Sequence, residues 1–321
     1  MGTVAPFTTY AGFISDNDRW TRFVHRPGDV VISTPPKCGT TWTQMLCALM
    51  VFDGPEFPDK LDAISPWLDV NTRSEREVFA TYERQSHRRF IKTHTPLDGL
   101  PMRDDVHYVV VGRDPRDVFE SWQNHRANVD RELQDQRIRN ACAADGRPVP
   151  EMPAELVAPT TPVERFHAFV DAEPTTDVDV TLANVLHHLG TGWQRRAEPN
   201  VELFHFLDYQ RDLVAEMQRL AQFCQFDISP ERLRELAPAA SLASMRGRSA
   251  ELVPEVAVSD YWNDTDRFFR SGAKGEWREH FSAHDLAHYD QRAHALAPSD
   301  LVRWVHDESH DASRAAEGPR A

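Results

Sequence analysis

The sequence predicts an α/β fold: one domain with a central, mainly parallel sheet flanked by helices. Three observations carry that expectation. Short β-branched runs alternate with segments of helical periodicity. The run 107–113 has the continuous apolar centre of a strand buried on both faces. A third run, 29–33, leads through a tight glycine-bearing loop straight into a helix.

Taken in order, 29–33 (DVVIS) reads as the first strand and 34–39 (TPPKCG) as the loop. Trp42, Met45, Leu46 and Leu49 fall at helical spacing after it. Residues 89–94 read as a second strand, and 107–113 as a third. A helix follows at once, because Asp114 is a good N-cap, Pro115 fits the first helical position and Asp117 adds favourable charge. Residues 201–206 form a fourth strand candidate, between helices expected over 182–196 and near 213–223. The domain is expected over 1–306. Within it, 127–179 is poor in long apolar runs and reads as an excursion on the acceptor side, where Met152, Leu156, Val157, Phe166 and Phe169 offer apolar surface for a lipid or aromatic alcohol, or form a minor core. Residues 307–321 are Ala, Ser, Gly and charge, the composition of a disordered tail.

The 36 basic and 50 acidic residues give a formal charge of -14, which disfavours a general nucleic-acid binder. A small anion remains possible, since a pocket needs only a few local cations. No apolar run approaches the roughly 20 residues of a membrane span, and no signal peptide is evident, so a cytoplasmic location is expected. Four scattered cysteines without a CxxC pair argue against both a disulfide framework and a zinc site. His187-His188 reads as a surface pair.

Two constellations carry chemistry. The helix N-terminus after the loop is an anion site by geometry, with Gly39 allowing close approach, Thr40 and Thr41 adding hydroxyls, and Lys37 a full charge. Lys37 precedes the glycine, so the loop is not the GxxxxGK[ST] of Mg-ATP sites. The bland alternative is a plain strand-to-helix turn. Cys38 beside a lysine at a helix start is expected to have a depressed pKa, which raises a thiol phosphatase, but Gln44 stands where that chemistry needs arginine. In the second constellation Arg113 closes a strand and Ser121 follows about two helical turns later, on the same side. A guanidinium fork and a hydroxyl there suit one phosphate. The alternative is a helix-capping Arg–Asp pair with a surface serine. Lys37, His94 and Arg113 all fall at strand carboxyl ends, where open α/β sheets bind ligands.

Together these stretches resemble the cytosolic sulfotransferase family. Loop 34–42 (TPPKCGTTW) resembles the 5′-phosphosulfate loop TYPKSGTTW, and 113–121 resembles the 3′-phosphate segment. Residues 92–96 (KTHTP) resemble KTHLP, and 268–277 resemble the late motif FxRKGxxGDW. The flanking phrases look closest to the mycobacterial-type glycolipid sulfotransferases. The resemblance implies a P-loop-like fold and a donor, 3′-phosphoadenylyl sulfate (PAPS), that leaves as adenosine 3′,5′-bisphosphate (PAP), with no metal required. It implies a small-molecule or glycolipid hydroxyl as acceptor. By the same resemblance Lys37, Cys38, Gly39, Thr40 and Thr41 hold the 5′-phosphosulfate, Trp42 stacks on adenine, and Arg113 and Ser121 hold the 3′-phosphate. Phe268, Phe269, Arg270, Ser271 and Gly272 close over the nucleotide. His94 is the general base, with Lys37 and Lys92 as catalytic cations.

Departures accompany the match. Cys38 replaces a serine, Phe206 replaces a tyrosine that reaches adenine, and Ser271 replaces a lysine. In the stretch containing Ser241, Leu242 and Met245, Leu242 replaces a stacking aromatic. These changes imply weaker donor binding than usual. The family's dimer motif is not recognisable after Trp277, which leaves the oligomeric state open. The competing readings are a nucleotide-dependent phosphotransferase, for which no Mg-holding carboxylate is evident, and a non-catalytic nucleotide-binding relative.

Overall fold

The computed structural model describes residues 7–151, 161–253, 261–264, 268–269 and 274–307. Strands β1 (Val30–Ser33), β2 (Phe90–Thr93), β3 (His107–Gly112) and β4 (Val201–His205) form a four-stranded sheet in the order β2-β1-β3-β4. All three pairings are parallel. The strands therefore end on one edge: Ser33 lies level with Thr93 and Val110, and Gly112 with His205.

Side chains alternate between the two faces. Val31, Ile91, Tyr108 and Val110 point into one apolar cluster, Val30, Ile32, Phe90, Val109 and Val111 into the other. Each face is covered by helices, as a parallel sheet requires. Thr40–Val51, Phe206–Arg211 and Leu213–Cys224 lie on one side, Leu182–Gln194, Ala283–Leu296 and Ser299–Val305 on the other. Close packing leaves no room at Gly112, where a Cβ would stand 2.3 Å from the Trp304 ring.

The predicted helix start after β3 forms as read. Asp114 caps Pro115–Asn128 by accepting from Arg116 N, and Asp117 accepts from Gly275 N at 2.8 Å. The fourth strand ends one residue early, because Phe206 already opens the next helix.

Among the described residues of the stretch 127–179 are the helices Arg131–Asp145 and Pro162–Asp171. Phe166 and Phe169 do not line an acceptor surface or a separate minor core. They are buried in the main cluster, where Phe166 stacks on Phe281 at 3.9 Å between centroids and both contact Phe119. The low apolar density concealed this, since a few large rings bury as much area as a long aliphatic run. Met152, Leu156 and Val157 lie outside the described residues, as do the tail 308–321 and the segment containing Arg270, Ser271 and Gly272.

Candidate functional site

The chain runs from β1 to β2 on one side and then crosses to β3 on the other, so the connections leaving β1 and β3 diverge. Such a switch point opens a crevice at the strand carboxyl ends. His94 directly follows β2 and Arg113 directly follows β3, while Lys37 lies in the loop that leaves β1.

The loop after β1 is built to turn sharply. Lys37 has φ 69° and Gly39 φ 106°, both left-handed, and Gly39 is the N-cap of Thr40–Val51. A side chain at Gly39 would also press on Phe206, whose Cδ2 lies 3.1 Å from the Cβ position. The resulting cradle presents the first-turn N–H groups, which have no partner within the helix. The Thr34 and Thr40 hydroxyls bond each other at 2.6 Å and hold the loop's two ends together. Thr41 is partly exposed at the helix start.

Arg113 joins the two halves. Its Nη1 donates to the Lys37 carbonyl at 3.1 Å, and its guanidinium lies over the Phe206 ring at 4.4 Å. The capping carboxylate Asp114 pairs with Arg116 at 2.7 Å. Ser121 is half-buried on the helix after Arg113, not a surface serine.

Lys37 Nζ sits 4.6 Å over the Phe268 ring and 3.5 Å from His125 Nδ1. Burial pushes its pKa down to about 7, and the nearby charges of Arg113 and Lys92 add to the effect. A strongly acidic protein thus concentrates three cations at one crevice. Cys38 corrects the sequence reading. Burial pushes its thiol up to about 12, outweighing the neighbouring Arg113 and Lys37, so it is no thiolate.

His94 is held in one tautomer. Its Nδ1 lies 2.7 Å from the Thr34 carbonyl, which can only accept, so Nδ1 carries the proton and Nε2 keeps its lone pair. Burial, with Lys92 next in size, lowers its pKa well below the ordinary histidine value. The imidazole is therefore neutral. Trp67 packs edge-on against it at 4.6 Å, and Lys92 Nζ lies over the Trp67 ring, 5.1 Å from its centroid. A cavity opens beside His94, lined by Tyr10, Pro35, Asp177, Asn184 and His188 among others.

On the opposite side Trp42 is buried edge-on to Phe206 at 5.4 Å and beside Tyr209 at 5.5 Å. Its Nε1 is buried without a hydrogen-bond partner. Met245 and Phe269 are buried in the same cluster, and Leu242 and Phe268 pack against it. The Ser241 hydroxyl is engaged as N-cap of Leu242–Gly247.

Three contributors escaped the sequence reading. His125 faces Lys37 and stacks on Trp122 at 5.0 Å; burial, then Lys37, keep it neutral. It lies one helical turn after Ser121, a spacing that offered the signal. Asp69, fully buried, accepts from the hydroxyls of Thr93 at 2.9 Å and Thr95 at 2.6 Å, pinning the backbone on either side of His94. Nothing in the sequence pattern singles it out. His188 is a correction: the His187-His188 pair is not a surface pair. His187 is exposed, whereas His188 is buried, bonds Ser33 Oγ at 2.9 Å and is driven down to about 3 by burial.

Cations, helix amides and a neutral imidazole thus gather around one crevice. The sequence profile of the sulfotransferase domain family matches residues 27–300, and the chain belongs to that family and is a sulfotransferase. It is 42% identical over 319 residues to a glycolipid sulfotransferase of Mycobacterium bovis, covering 96% of this chain and 97% of that one. Human sulfotransferase 2A1 is 25% identical over 308 residues, covering 91% and 94%. Among solved structures, mouse sulfotransferase SULT7A1 complexed with PAP superposes with a TM-score of 0.63 at 17% identity, covering 92% of this chain and 93% of that chain. Retinol dehydratase with androsterone and the inactive cofactor PAP gives 0.59 at 18%, covering 96% and 91%. The fold is thus the P-loop-like sulfotransferase fold. No helix among the described residues is long and apolar enough to cross a membrane.

Proposed function

We propose that this sulfotransferase moves the sulfuryl group of PAPS to a hydroxyl of a glycolipid or similar small acceptor, releasing PAP, in the cytoplasm. The observation that carries the reading is the Arg113–Lys37 bridge, which couples the strand-end arginine to the phosphate loop across the switch point. A doubly phosphorylated adenosine needs two anion sites joined in this way.

The residues fit such a donor. The cradle is cationic, Gly39 leaves room for close approach, and Trp42 Nε1 is an unused buried donor beside the expected adenine position. Lys37, Gly39, Thr40 and Thr41 would hold the 5′ end, with Cys38 contributing its backbone. Arg113 and Ser121 would hold the 3′-phosphate. Arg270, Ser271 and Gly272, outside the described residues, are proposed to close over it with Phe268 and Phe269. The donor supplies the sulfuryl group and its phosphate leaving group. His94 Nε2 takes the acceptor's hydroxyl proton, and Lys37 and the helix N-terminus neutralise charge that builds as the group departs. Lys92 adds positive potential beside His94. This scheme draws on no metal.

The glycolipid acceptor is supported by the mycobacterial relatives, named glycolipid sulfotransferases. The cavity beside His94 is where the acceptor hydroxyl would approach the imidazole. Incubation with sulfur-labelled PAPS and a panel of glycolipids, phenols and steroids should place label in the glycolipids. Label in none of them would sink the activity, and label only in phenols or steroids would sink this acceptor class.

Arg113→Ala should weaken PAP binding by about 10–100-fold, the value of a lost charged hydrogen bond. Binding of adenosine 5′-phosphosulfate, which lacks the 3′-phosphate, should change little. Equal losses for both nucleotides, measured by calorimetry, would remove the role given to Arg113.

A further inference from the structure

Helices Pro162–Asp171 and Ala283–Leu296 pack together through Phe166 and Tyr289, whose ring centroids are 5.9 Å apart. Each helix also carries a histidine–aspartate pair about one turn apart: His167 with Asp171, and Asp285 with His288. The pairs face each other across the helix contact. A ring nitrogen from each of His167 and His288 and a carboxylate oxygen of Asp171 all lie within 4.8 Å of one another. The imidazoles stack at 5.5 Å and 27°. His288 Nε2 is 2.6 Å from Asp171 Oδ1, and His167 Nε2 is 2.6 Å from Asp285 Oδ1. None of these residues belongs to the sulfuryl-transfer site.

We propose that this cluster binds a zinc-class divalent cation, with His167, Asp171 and His288 as ligands and Asp285 as the carboxylate that orients His167. Two imidazoles and one carboxylate, with water completing a tetrahedron, are a donor set for zinc and its neighbours. Magnesium and calcium want oxygen alone. Bonds of about 2 Å separate tetrahedral ligand atoms by roughly 3.3 Å. The short His–Asp contacts must therefore open slightly and the longest separation must close. Side-chain rotation suffices, since the side chains of His167 and His288 are each 36% exposed and that of Asp171 54%. That exposure also gives the ion its entry path. Asp285 is already fixed by Ser282, whose hydroxyl donates to it at 2.6 Å. Asp285 keeps its hydrogen bond to His167 Nε2, and the His288–Asp171 contact gives way to two metal bonds.

Such an ion would staple the helix Pro162–Asp171 to the helix Ala283–Leu296. Its effect would fall on stability and not on the transfer chemistry.

The test uses the full chain stripped with chelator, then titrated with zinc chloride and, separately, magnesium chloride. One zinc should bind per chain and raise Tm, while magnesium does neither. The double variant His167→Gln/His288→Gln should bind zinc at least tenfold more weakly, lose the Tm increase and keep its transfer activity. Asp171→Asn, at an exposed position, supplies the same comparison if the double variant fails to fold. Absence of zinc binding by the unaltered chain, or undiminished binding by the variants, overturns the proposal.

Discussion

His94→Ala should lower the rate of sulfuryl transfer by about 10²–10⁴-fold, the range for losing a positioned general base. PAP affinity should stay within a few-fold. The separation follows from geometry. The imidazole is locked by the Thr34 carbonyl with Nε2 as its lone-pair nitrogen, and it faces the cavity beside β2. Its depressed pKa keeps it unprotonated throughout the physiological range, and an anionic donor in the adjacent cradle raises its basicity when proton transfer is needed. Normal turnover in the variant, measured at saturating PAPS, would show that the proton leaves by another route. His94→Asn gives a second check, because its side chain can keep a polar contact near Thr34 without a basic nitrogen.

The second large effect belongs to Lys37, which should matter to binding and chemistry together. Lys37→Ala removes a cation aimed at the departing group and should lower transfer by roughly 10²–10³-fold, as loss of one preorganised donor does. It should also weaken PAP binding. The pH dependence gives this residue a signature of its own. Without nucleotide its pKa is lowered to about 7, so the ammonium is present below that pH and is lost as pH rises through it. An arriving anion restores the charge, so binding above about pH 7 takes up a proton. PAP affinity should then fall by up to about tenfold per pH unit above that point, until the raised pKa of the bound state is reached. Calorimetry in buffers of different ionisation enthalpy reads the uptake directly. A Lys37→Ala protein that still takes up this proton would reassign it to another group.

Much of the site was legible before folding. The strand–loop–helix around Lys37, the Asp114-Pro115 helix start after Arg113 and the strand ending at His94 are local events. Capping, a positive φ at Gly39 and continuous apolar runs act over a few residues, so their order along the chain already aligned Lys37, His94 and Arg113 on one edge. Composition likewise announced an acidic protein needing only a small cationic pocket.

Charge state and neighbourhood were another matter. Cys38 looks reactive by its chain neighbours, yet complete burial makes it an inert thiol. His188 looks like half of a surface pair, yet it lies under Ser33, a residue 155 positions away. Asp69 reaches Thr93 and Thr95, 24 and 26 positions on, and Phe166 reaches Phe281 across a far longer stretch of chain. Desolvation and side-chain packing sum contributions from elements remote in sequence, and no local pattern encodes that sum. Chain order therefore set the phosphate loop and the line of strand-end residues, whereas packing alone chose which groups are neutral, which are buried and how His125 and Asp69 support them.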